Sequence, residues 1–185
     1  MLTDNDYTLA AKALGVEVAC VKAVTKVESR GSGFLASGEP KILFERHWMY
    51  KLLKQKTGVE PEVNDVCNPK AGGYQGGAAE HLRLNKAVQI DRECALQSAS
   101  WGLFQIMGFH WKALGYASVQ KFINDQYDSE AKQLGTFVKF LLINSGMLNA
   151  LKAKDWAKFA KLYNGPEYAK NNYDTKLQEA YNSFK

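Results

Sequence analysis

The amino-acid sequence predicts a mainly helical α+β fold with one small sheet, and three observations lead there. Apolar residues recur at helical spacing over most of the chain, a short apolar segment after Pro40 reads as a strand, and no linker, internal repeat or low-complexity stretch interrupts the pattern. A chain of 185 residues, 46% hydrophobic and 23% charged, can bury one sizeable core but is short for two ordinary domains. One domain over residues 1–185, acting as a monomer, is therefore expected.

Asp4 or Asp6 can cap a first helix that runs to Leu14, where Gly15 supplies the residue type that stops helices. A second helix is expected over residues 16–29, followed by a loop over 30–40. Residues 41–45 form the predicted strand. Phe44, Trp48 and Leu52 share a helical stripe that Gly58 ends, so the strand should pass directly into a helix. Residues 67–77 hold Pro69 and glycines 72, 73, 76 and 77, a turn composition that makes the loop either flexible or shaped around something. Short helices are expected over 78–86, 91–97, 101–107 and 109–114, with Ser98 or Ser100 capping the one that starts at Trp101. A core helix is expected around Leu134, Phe137, Val138 and Leu141, another from near Trp156, and a last one with Tyr173, Leu177, Ala180, Tyr181 and Phe184 on one face.

Lys and Arg number 24 against 19 Asp and Glu, a net charge of +5 that favours encounter with a polyanion: nucleic acid, membrane or anionic cell wall. The lysines are scattered. Lys152, Lys154, Lys158 and Lys161 read as a solvated helical face, so no nucleic-acid partner is expected. The longest strongly apolar run, residues 137–143, contains Lys139 and falls far short of the roughly 20 residues that cross a bilayer. Residues 1–7 carry Asp4 and Asp6 where a secretory signal would be basic and then apolar. Neither a membrane span nor a signal is expected, and synthesis would leave the protein in a cytoplasm. Cys20, Cys67 and Cys94 are odd in number and lack a CxxC spacing, which points to free, buried thiols. With His47, His81 and His110 they could suggest zinc, but there is no HExxH and no close ligand pair, so neither metal nor cofactor is expected.

Glu28 breaks the pattern of its helix. At about 100° per residue it lies on the face that Val18, Val21 and Val24 should bury. Desolvation and the negative end of the helix dipole both disfavour its charged form, so its pKa should rise. A carboxylic acid kept protonated near neutral pH can donate to a glycosidic oxygen. The plainer reading is a helix-terminal glutamate that pairs with Arg30 or reaches solvent.

The sequence Val27-Glu28-Ser29, followed by Ser100-Trp101-Gly102-Leu103-Phe104-Gln105-Ile106-Met107 and later by Tyr163-Asn164-Gly165, is similar to the three-part layout of the lysozyme superfamily, which includes goose-type lysozymes and soluble lytic transglycosylases. More closely, the chain resembles the N-acetylmuramidase catalytic domain of phage and prophage endolysins. Residues 28–35, 40–47, 67–79, 98–109 and 153–176 look like that family's motifs, in order. The resemblance implies a lysozyme-like fold with its small sheet beside the cleft. It also implies a peptidoglycan hydrolase that cuts the β-1,4 bond from N-acetylmuramic acid to N-acetylglucosamine, with Glu28 as the catalytic acid. It further implies bacteriolytic action on the periplasmic wall after another protein releases the enzyme from the host cytoplasm. The chain departs from the family's pattern at His110, where an asparagine is expected after Gly108-Phe109. Many relatives carry a separate wall-binding domain, for which no room is expected here.

Glu45 is the first candidate for a second carboxylate, against the plainer reading of a surface glutamate paired with Arg46 or a lysine. Without such a partner Glu28 would serve as both acid and base, as in a lytic transglycosylase, which leaves an anhydro ring in place of a reducing end. By the resemblance Ser100, Trp101, Gln105, His110, Tyr163 and Asn164 are the substrate-binding candidates. Locally, Ser100 could be only a cap, Gln105 only a polar side chain, and Tyr163 and Asn164 only part of a helix stop. Of the four tryptophans, Trp101 alone is expected near the cleft. Rival readings are a wall peptidase or amidase using cysteine or zinc, whose signatures are missing, and a noncatalytic module binding peptidoglycan or nucleic acid.

Overall fold

Ten α-helices, three short strands and two pieces of 3-10 helix make up the regular structure of the described residues, 1–29 and 31–185 of the computed structural model. In chain order the helices are α1 (Asp4–Leu14), α2 (Val18–Glu28), α3 (Arg46–Thr57), α4 (Ala79–Ile90), α5 (Arg92–Gln97), α6 (Val119–Asp128), α7 (Glu130–Ile143), α8 (Ser145–Ala153), α9 (Trp156–Asn164) and α10 (Tyr173–Phe184). The strands are β1 (Ile42–Phe44), β2 (Ala99–Trp101) and β3 (Ile106–Met107). The chain divides into one unit of residues Met1–Ser32 with Glu130–Lys185 and another of residues Gly33–Ser129. The mainly helical α+β class with a small sheet is the one the sequence predicts.

In the first unit Thr3, not Asp4 or Asp6, caps α1. Its hydroxyl accepts from the Asp6 amide while the Asp6 carboxylate accepts from the Thr3 amide at 2.7 Å, which satisfies two orphan donors reciprocally. Gly15 ends the helix in the left-handed region, as expected, and the turn delays the start of α2 to Val18. Val21, Ala23 and Val24 of α2 are buried, as are Leu177, Ala180 and Tyr181 of α10, which packs against α2. Tyr173 is only half-buried and Phe184 is exposed, so the apolar face of α10 is narrower than its sequence suggests. The Tyr181 hydroxyl donates to Glu17 at 2.6 Å and Lys154 pairs with the same carboxylate, fixing the start of α2 from outside. Leu134, Phe137, Val138 and Leu141 form the buried stripe of α7, as predicted. The structure adds α8, which buries Met147, Ala150 and Leu151.

In the second unit the three strands pair antiparallel in the order β1-β2-β3, with Ile42 opposite Trp101, Phe44 opposite Ala99 and Ser100 opposite Met107. β1 runs straight into α3, as expected, with Glu45 at the helix cap position. Residues 101–107 correct the sequence reading, since they form a hairpin and not a helix. Gly102 and Gln105 both adopt positive φ, at 69° and 50°, which no helix tolerates. Because Trp101, Leu103, Phe104 and Ile106 are all buried, the hairpin carries the same unbroken apolar run that a buried helix would. The proposed serine caps fall with it: Ser98 donates to the Cys94 carbonyl at the end of α5, and Ser100 lies within β2. Residues 109–114 likewise form a 3-10 turn at Gly108–His110 followed by turns. A Cβ at Gly108 would stand 2.2 Å from the Leu96 carbonyl oxygen, so only glycine lets the end of the hairpin lie against α5. The structure also adds α6, which Ser118 caps by accepting from the Lys121 amide.

Among the described residues no single helix is long and apolar enough to cross a membrane; α7 and α8 reach that length only as a pair bent by 101°.

Candidate active site

Glu28 is the last residue of α2 and is half-buried, below the buried Val21, Val24 and Thr25. Its Oε1 accepts a hydrogen bond from Asn164 Nδ2 at 3.0 Å. Asn164 is itself the last residue of α9, and Gly165 follows it at φ 84°, ψ −177°, a backbone conformation essentially reserved for glycine. That sharp exit lets the asparagine stand at the helix end with its amide directed at Glu28. Arg30, the alternative partner considered for Glu28, lies outside the described residues.

Tyr163 precedes Asn164 and is held by aromatic rings: Phe159 stacked at 5.7 Å, Phe137 edge-on at 5.8 Å and Phe140 edge-on at 6.4 Å. Desolvation pushes its hydroxyl well above the ordinary tyrosine pKa of 10.0, and the negative charge of Glu28 adds to the shift. Tyr163 is therefore a neutral phenol through the physiological range. The first unit thus brings together three residues predicted from sequence, Glu28, Tyr163 and Asn164.

The second unit holds the others. Glu45 is largely buried and its Oε2 receives the Tyr74 hydroxyl at 2.6 Å, with His47 Nδ1 at 3.2 Å from the same oxygen. Among the described residues it pairs with neither Arg46 nor a lysine. The Glu45 amide donates to the Ser98 carbonyl at 2.9 Å, which ties the helix cap to the end of α5. Ser100 donates to Gln105 Oε1 at 2.8 Å, and Gln105 Nε2 donates to the carbonyls of Gly102 at 2.8 Å and Lys41 at 3.3 Å. The exposed Gln105 is thus locked across the hairpin turn. Trp101 corrects its assignment as a sugar contact: it is 1% exposed and its indole N–H donates to the Leu96 carbonyl at 3.1 Å, so it supports the hairpin from within. His110 is half-buried with its ring 4.5 Å from Phe109, and desolvation lowers its pKa, which keeps the imidazole neutral.

Sequence reasoning missed Tyr74, Glu80 and Arg83. Glu80 is fully buried, and its carboxylate accepts from the amides of Phe44, Gln75 and Gly76 and from Arg83 Nη1, at 2.6 to 3.0 Å. Arg83 also donates to the carbonyls of Phe44 and Gly72, and Arg46 to those of Lys70 and Ala71. The loop of residues 67–77 is therefore shaped around a buried ion pair. Desolvation would raise the Glu80 pKa, but the three amides and Arg83 outweigh it and leave it below the ordinary carboxylate value. One sequence signal was available for Tyr74, an aromatic residue set between two glycine pairs. None was available for Glu80.

A family model described as N-acetylmuramidase matches residues 17–185. Among solved structures, the crystal structure of Burkholderia AP3 phage endolysin is similar at 52% sequence identity and a TM-score of 0.95, over 99% of this chain and 70% of that one. No curated protein matches the chain.

Proposed function

The chain belongs to the N-acetylmuramidase family, and from that premise we propose that it cleaves the β-1,4 bond from N-acetylmuramic acid to N-acetylglucosamine with Glu28 as general acid. The protein is a lysozyme-like glycosidase and peptidoglycan hydrolase. The observation that carries the role of Glu28 is the Asn164 hydrogen bond at 3.0 Å to a half-buried carboxyl at a helix C-terminus. The negative end of the helix and partial burial favour the neutral acid, and Asn164 holds its Oε1.

Glu28 gives that proton to the bridging oxygen as positive charge develops at the muramic anomeric carbon. Tyr163, kept as a phenol, supplies a fixed dipole beside the acid. Glu45 serves as the second carboxylate, guiding water or stabilising the cation. Gln105, braced by Ser100, accepts a hydrogen bond from the glycan, and the neutral His110 contributes a further polar contact. The family match spans both units, which supports one catalytic domain over residues 1–185. The enzyme acts as a monomer on glycan strands, after another protein releases it from the host cytoplasm, and its +5 charge favours the anionic envelope.

Mass spectrometry of digested sacculi tests this reading. Wild-type protein yields reducing muramic acid ends and Glu28→Gln yields none. Anhydromuramic ends would replace hydrolysis by transglycosylation, and binding without any cleavage would replace the enzyme by a wall-binding module.

A further inference from the structure

The proposed chemistry leaves the loop of residues 67–77 without a role, although the structure ties it down on both sides of Tyr74. Before Tyr74, the carbonyls of Lys70, Ala71 and Gly72 accept from Arg46 and Arg83; after it, the amides of Gln75 and Gly76 donate to the buried Glu80. A segment with four glycines has high conformational freedom, and these five bonds remove it around one residue. The Tyr74 ring lies 5.8 Å from the Arg83 guanidinium carbon, and its hydroxyl reaches Glu45 Oε2 at 2.6 Å. Burial and the Glu45 hydrogen bond push the Tyr74 hydroxyl up to about 12, so it remains a donor. The Glu45 backbone is fixed in turn by its bond to Ser98.

Both contacts on Glu45 fall on Oε2. Among the described residues no donor reaches Oε1 within hydrogen-bonding distance. A glutamate side chain turns about three bonds, and a single short bond from a rigid donor selects one orientation and one open oxygen. We propose that Tyr74 is a positioning residue that holds Oε2 of Glu45 and leaves Oε1 to water or substrate, with the Glu80–Arg83 pair holding Tyr74 in place. This rests on Glu45 being the second carboxylate of the proposed reaction.

A double-mutant cycle on purified sacculi tests it, with Tyr74→Phe, Glu45→Gln and the combined variant. Phenylalanine keeps the ring and removes only the hydroxyl. The expected result is a fall of about tenfold in kcat, about 1.4 kcal/mol of barrier, with KM and Tm unchanged. In the Glu45→Gln background the same change should cost nothing further, because the hydroxyl acts only through that carboxylate. A wild-type kcat for Tyr74→Phe beside an impaired Glu45→Gln overturns the proposal alone. An equal loss in both backgrounds also overturns it, since the hydroxyl would then act elsewhere. Full activity in Glu45→Gln removes Glu45 from the reaction and overturns the proposal together with the reading beneath it.

Discussion

Asn164 Nδ2 donates to Glu28 Oε1 across 3.0 Å, joining the last residue of α9 to the last residue of α2. The two residues are 136 apart in sequence, yet each stands where its helix runs out of backbone partners, so the hydrogen bond links two helix ends.

Removing that donor takes away a contact that orients the Glu28 carboxyl. A hydrogen bond to a charged or reacting group is worth about 1.5–3 kcal/mol, so Asn164→Ala should lower kcat by roughly 10- to 150-fold. Asn164 is half-buried at a helix end, and the variant should keep its Tm within a few degrees. Turnover on sacculi and a thermal melt check both. Undiminished turnover would remove Asn164 from the site.

Tyr163 makes a prediction on the alkaline side. Its folded pKa lies well above 10.0, so above that value the unfolded chain releases a proton that the native state keeps. Stability contributed at neutral pH must then drain away as pH climbs past 10 towards the folded value. Tyr163→Phe should lower turnover with the fold intact and should flatten the alkaline fall in Tm. A melt series from pH 8 to 11 that is equally steep in both proteins would contradict the burial argument.

What could be read from the sequence was what is local. The helical stripe of α2, the misfit of Glu28 on it, the strand running into α3 and the core face of α7 all follow from periods of a few residues. The hairpin over 101–107 could not be read this way, because burial on both faces erases the alternation that marks a strand, and Trp101 was assigned to substrate for want of that fold. Glu45 was singled out as a carboxylate, but its partner Tyr74 lies 29 residues away. The Glu80 bond to the Phe44 amide spans 36 residues and leaves no trace in either local pattern. Tyr163 and Asn164 were found through resemblance; by themselves they read as a helix stop.

The cysteines should be chemically silent in the native protein. Cys20, Cys67 and Cys94 are 1%, 1% and 3% exposed, and burial raises all three thiols, Cys94 to about 12 with Asp91 adding to the effect. Thiolate is the nucleophile, so both access and ionisation protect these residues. Iodoacetamide should label the folded protein only slowly and leave sacculus clearing unchanged, with full labelling after denaturation. Rapid native labelling accompanied by lost activity would revive a cysteine mechanism.

The buried carboxylate of Glu80 sets the stability prediction. Desolvation raises its pKa, but the amides of Gln75, Gly76 and Phe44, with Arg83, bring it below the ordinary 4.5. A depressed folded pKa means stability that is present above 4.5 and is lost as pH falls from there through the folded value. Glu80→Gln removes one partner of a buried pair and leaves the Arg83 guanidinium without its counter-charge, at a cost of about 3–5 kcal/mol. For a chain of this size that corresponds to a Tm lower by roughly 6–20 °C at pH 7. The variant should also lose less on acidification, because the proton that wild type takes up at Glu80 on unfolding is no longer involved. Melts of both proteins between pH 7 and 3 decide it: parallel curves would show that Glu80 does not carry the acid sensitivity, and an unchanged Tm at pH 7 would show that the loop of residues 67–77 is held by something else.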